Sequence, residues 1–403
     1  MRRLAVLSLH TSPLAQPGAG DGGGMNVYVR SLASALGRAG VDCDVYTRSW
    51  RRGLAPVVAV EPGFRVHHVV AGPLAPVPTE AMPSLVGTFT EGVLAKMVTA
   101  GQPDLIHANY WLSGIAGHAL KHELGLPLVS TFHTLARVKA AAAVDESEAR
   151  AVAETEVIGC SDAILASSDD EATQLQRLYG ARPERVEVVP PGVDHEQFAP
   201  GNRAAARAAL GLGNGPMLLF VGRIQPLKGV DVAIEAAARL GPAVTLVVVG
   251  GPSGPDGEHE RARLGRLVAS LGAGASVRFV APRPHAELAT WYQAADVCLV
   301  PSRSESFGLV ALEAAACGTP VVAAAVGGLQ TLVDQGTTGF LVEARHGDGF
   351  AACVFRLLAD PDLAARMGEA AVRRARRYSW SITAARLRRL YVDLTARELV
   401  ECH

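Results

Sequence analysis

Two glutamates, Glu305 and Glu313, stand eight positions apart on either side of a short segment that contains one glycine and leads into an apolar run. The apolar residues up to Pro301 predict a strand that brings Glu305 to the edge of a sheet. A helix opening near Ser306 would direct its free N–H groups and positive dipole end toward a phosphate, and Glu313 follows about two helical turns later. Because carboxylates accept hydrogen bonds from hydroxyl groups, the spacing predicts a nucleotide-sugar site, with Glu305 on the sugar and Glu313 on the ribose.

Two cations upstream supply the charge that such a ligand needs. Gly222 ends another apolar strand, and Arg223 and Lys228 flank the turn that follows it. Arg and Lys are usually solvated surface residues, and either of these alone would be interpreted in that way. Lysine is scarce in this arginine-rich chain, however, and the pair occurs together with the two glutamates. The combination predicts that Arg223 and Lys228 neutralise a diphosphate.

The elements that would position these residues alternate along the chain. Short apolar runs are separated by helical patterns, which is typical of parallel sheets with crossover helices, so the predicted fold class is α/β. Strands are expected at residues 4–8, 43–46, 66–70, 105–108, 128–131, 163–166, 186–189, 217–221, 245–249, 277–280, 297–300 and 320–323. In the first half, helices are expected at residues 26–39, 85–100, 112–124, 146–158 and 169–179.

A segment rich in proline and glycine, residues 190–202, predicts a linker between two doubly wound Rossmann-like units. This division gives an N-terminal domain over residues 1–198 and a C-terminal domain over residues 199–378. A final amphipathic helix, from about 379 to 403, is expected to pack back on the first domain. Ligands of such sheets bind outside the carboxyl ends of the strands, so the two domains are expected to face each other across a ligand-binding cleft.

The composition excludes several classes of protein. With 403 residues and a formal charge of −1, the chain lacks the basic excess of a nucleic-acid binder. No apolar run reaches the roughly 18 residues of a membrane span. The six cysteines include no C-x-x-C pair. They predict reduced, mostly buried thiols in a cytoplasmic protein and argue against a zinc site.

A second informative segment is a long loop after the first strand, with glycines at positions 18, 20, 22, 23 and 24. Such a loop permits close backbone approach and offers N–H groups to a polar ligand. It is not the G-x-G-x-x-G fingerprint of dinucleotide-binding proteins, and a glycine-rich loop alone is weak evidence of function.

Five motifs together carry a family resemblance that covers about residues 4 to 380. They are His10-Thr-Ser-Pro-Leu-Ala-Gln-Pro-Gly with Asp21-Gly-Gly-Gly-Met-Asn, Tyr110-Trp-Leu-Ser-Gly, Phe132-His-Thr-Leu, Val221-Gly-Arg-Ile-Gln-Pro-Leu-Lys and Glu305-Ser-Phe-Gly-Leu-Val-Ala-Leu-Glu. This set resembles the retaining GT-B glycosyltransferases of family 4, most closely those that glycosylate D-inositol 3-phosphate in mycothiol biosynthesis. The resemblance implies transfer of N-acetylglucosamine from UDP-N-acetylglucosamine to 1D-myo-inositol 3-phosphate, and a homodimer.

The resemblance also implies roles for individual residues. The residues expected to take part in catalysis are His133, Arg223, Lys228 and Glu305. The donor would be bound by His10, Gln16, Gly24, Arg223, Lys228, Arg283, Glu305, Ser306, Phe307, Gly308, Leu309 and Glu313. The acceptor would be bound by Asp21, Gly22, Gly23, Gly24, Met25, Asn26, Tyr110, Thr134, Arg137 and Arg150. The chemistry requires no cofactor, although a weak Mg²⁺ site would map to Tyr292, Gln293, Ala295 and Thr319.

One departure from the family pattern concerns the acceptor. Thr79 stands where the mycothiol enzymes carry a phosphate-binding lysine. Losing a charged partner from a phosphate site weakens binding, because hydrogen bonds to charged groups are among the stronger ones. Arg137, three residues after Thr134, is hypothesised to replace the lysine. The alternative is a paralogous family 4 enzyme with a different donor or acceptor.

The implied chemistry is front-face attack, in which a donor phosphate oxygen helps to deprotonate the acceptor hydroxyl while Arg223 and Lys228 stabilise the departing diphosphate. Two other classes remain open. A sugar-nucleotide 2-epimerase would need no acceptor, and a non-catalytic nucleotide-sugar binder would need no group that stabilises a leaving phosphate. His107, which lies late in an apolar strand, is interpreted as structural.

Overall fold

A computed structural model describes residues 1–402, apart from residues 19, 21, 142–145, 255, 273–275 and 344–345 and the side chain of residue 100. The chain forms two compact units. The first contains residues 1–15, 24–190 and the stretch from 380 onward, and the second contains residues 16–23 and 191–379. Among the described residues, no helix is both long and apolar enough to cross a bilayer.

The secondary structure alternates between strands and helices along the chain. The strands are β1 (Arg3–Leu7), β2 (Asp42–Arg48), β3 (Val57–Glu61), β4 (Phe64–Val69), β5 (Leu105–Asn109), β6 (Leu128–Thr131), β7 (Ala163–Ala166), β8 (Val186–Val188), β9 (Met217–Val221), β10 (Thr245–Val249), β11 (Ser276–Val280), β12 (Val297–Val300), β13 (Val321–Ala324) and β14 (Gly339–Val342). The helices are α1 (Gly24–Arg38), α2 (Val86–Ala100), α3 (Trp111–Leu124), α4 (Ala136–Ala141), α5 (Glu148–Cys160), α6 (Asp169–Tyr179), α7 (Arg203–Ala209), α8 (Val230–Leu240), α9 (Gly257–Leu271), α10 (Leu288–Ala294), α11 (Leu309–Ala316), α12 (Leu329–Leu332), α13 (Gly347–Ala359), α14 (Pro361–Ala375) and α15 (Trp380–Thr395).

The first unit is built on an eight-stranded sheet in the order β3-β4-β2-β1-β5-β6-β7-β8. Every pair in it is parallel except β3 with β4, which is antiparallel. Helix α15, which follows the second unit in sequence, belongs to this unit and packs on α1. Because β1, β5 and β6 are neighbouring parallel strands, their carboxyl ends lie side by side at one edge of the sheet.

The second unit contains a six-stranded parallel sheet in the order β11-β10-β9-β12-β13-β14. Alternate residues of its strands enter two separate apolar clusters, one on each face. Leu219 of β9 and Val247 of β10 lie in one cluster, while Leu218 and Val248 lie in the other. This double burial explains why these strands read as continuous apolar runs rather than as alternating patterns.

Two strands and the linker differ from the sequence-based expectations. The apolar-run criterion missed β3, which is an edge strand with no buried residue, and β14, which has four residues. The segment 190–202 contains no helix or named strand. It is nevertheless packed, because Val193 is 3% and Phe198 1% exposed, and both lie in the core of the second unit.

His107 of β5 has the structural role predicted for it. It is fully buried, with Nε2 2.8 Å from the Thr131 hydroxyl and Nδ1 2.9 Å from the Tyr391 hydroxyl of α15. The imidazole thus links two strands of the sheet to the last helix. Burial, together with nearby His133, lowers the pKa of His107 to about 3.

The buried imidazole predicts loss of stability in mild acid. Because the folded pKa of His107 lies below the usual 6.5, the unfolded chain binds a proton between these values that the folded chain does not. Stability from this group is therefore complete above pH 6.5 and falls as the pH drops. Between pH 7.5 and 5.5 the free energy of unfolding should lose about 1.4 kcal/mol through His107.

Urea unfolding at the two pH values measures this loss. The free energy of unfolding of His107→Gln should fall by about 1.4 kcal/mol less than that of wild type between the two pH values. His259→Gln, at an exposed position of α9, serves as the control and should behave as wild type. An unchanged pH dependence in His107→Gln would contradict the assignment.

Candidate active site

The candidate donor residues follow the two central strands of the second sheet. From β9 the chain continues to β10 and β11 on one side, and the later strands β12, β13 and β14 lie on the other. Strand order reverses between β9 and β12, which is the point where open α/β sheets bind ligands. Arg223 and Lys228 follow the carboxyl end of β9, and Glu305 follows that of β12. The structure therefore brings these three predicted residues to the switch point of the sheet.

Lys228 and Glu305 form an ion pair at this position. Lys228 Nζ lies 2.6 Å from Glu305 Oε2, and the Ser302 hydroxyl is 3.3 Å from the same oxygen. The side chains of Lys228 and Glu305 are 26% and 18% exposed, so both can reach a ligand. The predicted phosphate-binding and sugar-binding groups are thus adjacent, and each restrains the other.

The loops that carry this pair are fastened to each other. Gly229 has φ 68°, and a Cβ atom there would stand 2.1 Å from the Pro301 carbonyl oxygen, so the close approach requires glycine. Arg303 donates its backbone N–H to the Leu227 carbonyl at 2.8 Å and its guanidinium to Asp231 at 2.7 Å. Since these contacts join the turn after β9 to the loop after β12, they fix the separation of Lys228 and Glu305.

Glu313 is more deeply buried than the ribose role alone would suggest. It lies on α11, is 4% exposed, and accepts hydrogen bonds from His285 Nε2 and the Tyr292 hydroxyl, both at 2.7 Å. The linker holds His285 in turn, since Gln197 donates to its carbonyl at 2.8 Å and the Phe198 ring lies 5.1 Å from its imidazole. A carboxylate can accept more than two hydrogen bonds, so Glu313 could still accept from a ribose hydroxyl. The motifs did not indicate His285, although its place just after β11 is a usable signal.

The residues between the two glutamates differ in how far their side chains are exposed. Helix α11 begins at Leu309, slightly later than the opening near Ser306 that the sequence predicted, because Gly308 caps it with φ 103°. The Phe307 side chain is 4% exposed and packs 5.9 Å from the Tyr378 ring, so a donor could contact only its backbone. Ser306 and Leu309 are half-buried.

The glycine-rich loop contributes to the surroundings of Arg223. Arg223 Nη1 donates to the Ser253 hydroxyl at 3.3 Å, and a Cβ atom at Gly23 would lie 3.1 Å from Arg223 Nε. The Gly251 N–H, after β10, donates to the Gly18 carbonyl at 3.0 Å. Gly23, predicted for the acceptor, thus lies beside a predicted donor residue. Ser253 was not predicted.

The other predicted residues of this unit lie in the glycine-rich loop or after β11. Gly22 is buried and accepts a hydrogen bond from the Gly18 N–H at 2.9 Å. Gln16 and Arg283 are exposed, and among the described residues Arg283 forms no ion pair. Asp21 lies outside the described residues.

In the first unit, two predicted residues have strained backbones. Tyr110 has φ 75° and His133 has φ 62°, and no other non-glycine residue in the described part of the chain has a positive φ. Tyr110 precedes α3 after β5, and His133 follows β6, so both lie at the carboxyl ends of adjacent strands. Such strain concentrates at functional sites, where surrounding contacts maintain it.

His133 is held as a neutral imidazole. Its Nε2–H donates to Asn109 Oδ1 at 2.9 Å, and the Tyr28 ring packs edge-on at 4.9 Å. Burial lowers the pKa of His133 to about 3, so the ring carries no charge at neutral pH. Asn109, which is fully buried at the end of β5, was not singled out from the sequence.

Arg150 is 3% exposed and surrounded by acceptors. Its Nε lies 2.8 Å from Glu154, its Nη1 2.9 Å from Glu146, and its Nη2 2.9 Å and 3.0 Å from the Thr134 carbonyl and hydroxyl oxygens. Its guanidinium carbon also lies 5.1 Å from the centre of the Tyr110 ring. The structure therefore brings two predicted acceptor residues, Thr134 and Tyr110, into contact with a third, Arg150.

The hypothesis that Arg137 replaces the family lysine finds no supporting contact. Its guanidinium donates to the Leu178 carbonyl and lies 4.9 Å from the centre of the Tyr179 ring, at the end of α6. Thr79 begins a short 3₁₀ helix. The segment before it is held by Arg48, whose guanidinium donates to the carbonyls of Ala71, Pro73 and Ala75 at 2.7 to 3.4 Å. Arg48, an unpredicted residue, is 3% exposed and has no ion-pair partner among the described residues.

The other predicted residues of the first unit lie just after β1 or at the start of α1. Asn26, 2% exposed, donates its side-chain amide to the Ser12 carbonyl and so ties α1 to the loop after β1. His10 is half-buried, with its ring 5.0 Å from that of Tyr110. Gly24 is exposed and begins α1, followed by half-buried Met25.

The residues implied for Mg²⁺ do not fit a site for that ion. Thr319 donates its hydroxyl to the Tyr292 carbonyl at 2.7 Å, the Tyr292 phenol donates to Glu313, and the Gln293 amide donates to the Ala199 carbonyl at 2.8 Å. Tyr292, Gln293, Ala295 and Thr319 include no carboxylate, whereas Mg²⁺ is usually held by carboxylates and phosphates. No catalytic step is assigned to a metal.

Comparison with known proteins agrees with this arrangement. The family model described as Glycosyltransferase Family 4 matches residues 22–197, and the model described as Glycosyl transferases group 1 matches residues 202–374. The chain is similar to D-inositol 3-phosphate glycosyltransferase 2 of Catenulispora acidiphila, with 48% identity over 95% of this chain and 93% of that protein.

Two solved structures share the fold. Sucrose-phosphate synthase from Thermosynechococcus elongatus has a TM-score of 0.93 at 36% identity, covering 98% of this chain and 100% of that one. Anabaena HepE, solved in complex with UDP-glucose, has a TM-score of 0.78 at 22% identity, covering 98% of this chain and 100% of that one, and supports the fold alone.

Two Rossmann-like α/β domains, with conserved architecture in these structures, and the matched family models define a GT-B glycosyltransferase. The sequence-based prediction of fold and enzyme class is confirmed. The chain belongs to glycosyltransferase family 4.

Proposed function

We propose that the chain transfers N-acetylglucosamine from UDP-N-acetylglucosamine to 1D-myo-inositol 3-phosphate with retention of configuration, as in mycothiol biosynthesis. The observation that carries the donor half is the Lys228–Glu305 ion pair at the switch point of the second sheet. The acceptor half is supported by the name of the relative with 48% identity and by the Arg150 cluster. The homodimer and the cytoplasmic location stay predictions.

The donor residues have complementary tasks in this proposal. Arg223 and Lys228 bind the diphosphate, and the N–H groups at the start of α11 add donors for a phosphate oxygen. Glu305 accepts from a sugar hydroxyl while its other contact keeps Lys228 in position. Glu313 accepts from the ribose, oriented by His285 and Tyr292.

The reaction needs positioning and charge stabilisation more than acid–base groups. The bond from the anomeric carbon to the β-phosphate oxygen breaks, and a bond from that carbon to the acceptor oxygen forms on the same face. The acceptor proton passes to the departing diphosphate. Negative charge accumulates on the leaving group, where two cations stabilise the transition state. His133 is neutral, so it contributes hydrogen bonding near the sugar rather than charge.

The acceptor phosphate would be recognised around Arg150. Glu146, whose side chain is 14% exposed, holds Arg150 Nη1, and Lys139 pairs with the same carboxylate. A phosphate could replace Glu146 on these cations, and the Thr134 hydroxyl lies 3.0 Å from Arg150 Nη2. This arrangement supplies positive charge without a lysine at position 79.

Incubation with labelled nucleotide sugars, with and without acceptors, tests the proposal. UDP release from UDP-N-acetylglucosamine that depends on 1D-myo-inositol 3-phosphate supports it. Isomerisation of the donor without an acceptor would instead identify an epimerase, and binding without turnover would identify a sugar-nucleotide binder. Transfer to another polyol, with no activity on inositol 3-phosphate, would retain the transferase class and reject the acceptor.

A further inference from the structure

Four metal-ligating side chains converge in the first unit, away from the catalytic residues described above. They are His118 and His122 of α3, Cys160 at the end of α5, and Cys402, which follows α15. Their ligand atoms all lie within 4.8 Å of one another. We call these four residues the Cys/His cluster.

The sequence-based expectation for two of these residues was wrong. Cys160 and Cys402 were predicted as separate reduced thiols, but their sulfurs are adjacent and joined as a disulfide, with Cα atoms 5.2 Å apart. The other four cysteines are free thiols, as predicted, and Cys353 is half-buried. A local motif search could not find this pair, because 242 positions separate its members.

The distances from the histidine nitrogens to each other and to the sulfurs are close to those of a four-coordinate zinc site. His118 Nε2 lies 3.1 Å from His122 Nε2, and Cys402 Sγ lies 3.2 Å and 4.0 Å from His122 Nε2 and His118 Nε2. Cys160 Sγ lies 3.6 Å from His122 Nε2. Tetrahedral zinc with ordinary Zn–N and Zn–S bonds separates its ligand atoms by roughly 3.3 to 3.8 Å. Shifts of a few tenths of an ångström would bring these nitrogen–nitrogen and nitrogen–sulfur distances to those values. The two sulfurs, which are bonded to each other here, would have to move roughly 2 Å further apart after reduction, by rotation of the cysteine side chains.

A disulfide alone leaves the two histidines unexplained. His118 and His122 are four residues apart on α3, so both project from one face of the helix. Both direct Nε2 at the cysteine sulfurs, and their rings lie 5.0 Å apart. Two thiolates and two imidazoles form the donor set that zinc prefers over harder cations.

Contacts other than the sulfur bond position the segment that carries Cys402. The Val400 N–H donates to Asp162 Oδ1 at 2.7 Å. Asp162 Oδ2 accepts from Lys121 Nζ at 2.8 Å and from the Leu128 N–H at 2.7 Å. Lys121 lies on α3 between the two histidines and is 2% exposed. These hydrogen bonds hold the segment that carries Cys402 next to the cluster, and they do not depend on the disulfide.

We propose that the reduced chain binds one Zn²⁺ through His118, His122, Cys160 and Cys402. Binding displaces the two thiol protons to solvent and forms two Zn–S and two Zn–N bonds, with no oxidant or reductant involved. The ion joins the segment after α15 to α3 and α5, and so fastens the last helix to the first unit. This site is structural, since all four positions are occupied by protein.

The test measures zinc and thiols in the full chain, purified without a polyhistidine tag and under reducing conditions. Wild-type protein should hold about one zinc per chain, and Cys402→Ser and His122→Ala should hold less than about a tenth of that. Cys353→Ser and His259→Ala, which change a cysteine and a histidine outside the cluster, should retain the metal. Removal of zinc from wild-type protein by a chelator should lower Tm by several degrees.

Cobalt substitution in wild-type protein keeps the test independent of variants that fold poorly. Co²⁺ should produce thiolate charge-transfer absorption and the strong visible bands of tetrahedral coordination, both abolished by added Zn²⁺. The result that would overturn the proposal is reduced wild-type protein, with all cysteines titrating as thiols after denaturation, that binds less than about a tenth of a Zn²⁺ or Co²⁺ ion per chain. A Cys160–Cys402 disulfide without a metal function would then be the correct description.

Discussion

Replacing Lys228 with alanine should lower kcat/KM for sugar transfer by about 100- to 1,000-fold, the usual effect of removing one group that stabilises developing negative charge. Lys228 Nζ lies 2.6 Å from Glu305 at the switch point of the second sheet, so the variant loses a cation and also leaves Glu305 without its partner. The fall should appear mainly in kcat, because the charge on the leaving diphosphate is greatest in the transition state.

Steady-state kinetics at saturating acceptor measure the effect. Lys228→Arg keeps the positive charge but changes its geometry, and should lose less than the alanine variant. Lys96→Ala, on α2 of the first unit, controls for loss of a lysine. If Lys228→Ala lowered kcat/KM by less than about 5-fold while remaining folded, the cation would not act on the leaving group.

Replacing Arg150 with methionine should destabilise the protein by about 3 to 5 kcal/mol, because it leaves the buried carboxylate of Glu154 without its cation. Glu154 is fully buried and pairs with Arg150 at 2.8 Å. The Glu146 side chain is 14% exposed and pairs with Arg150 at 2.9 Å, and it would keep Lys139 as a partner in the variant. The hydrogen bonds to Thr134 are lost as well. In the proposed acceptor site, the same substitution should raise KM for inositol 3-phosphate.

Urea unfolding at pH 7.5 gives the stability change, and Arg137→Met is the matched control. Arg137 is half-buried and its guanidinium contacts a backbone carbonyl and an aromatic ring, so its loss should cost about 1 kcal/mol or less. Equal stabilities for the two variants would contradict the structural role assigned to Arg150. An unchanged KM for the acceptor in both variants would show that neither Arg150 nor Arg137 takes part in acceptor recognition.

The fold was predictable where periodicity and burial coincide. Strands such as β9 and β12 lie between two apolar faces, and their sequences are apolar throughout. Strand β3 could not be found in this way, because it lies at an edge and buries no residue. The packed state of residues 190–202 was also hidden, since Phe198 is a single aromatic residue among turn formers.

The candidate site was predictable as far as local motifs extend. Glu305 and Lys228 were each indicated by the end of an apolar strand, and the resemblance pointed to their roles. Their direct pairing depends on β9 and β12 being neighbours, which the local sequence does not specify. His285 was missed because its partner, Glu313, follows a different strand.

Two other clusters are marked in the sequence by residues four positions apart. Glu146 and Glu154 stand four residues before and after Arg150, a spacing that would bring all three to one face of the helix expected at residues 146–158. In the structure both glutamates pair with Arg150, although Glu146 lies just before α5. His118 and His122 have the same spacing on α3. The cysteines that meet these histidines come from distant parts of the sequence, so only the folded chain reveals the cluster.

The central claim is that the donor sugar is transferred with retention to inositol phosphate. Its most direct test is an NMR spectrum of the product formed from UDP-N-acetylglucosamine and 1D-myo-inositol 3-phosphate. The account predicts one acceptor-dependent product in which N-acetylglucosamine is linked to inositol phosphate through an α-glycosidic bond, shown by a small H1–H2 coupling. A β-linked product, or free N-acetylglucosamine as the sole product, would contradict it.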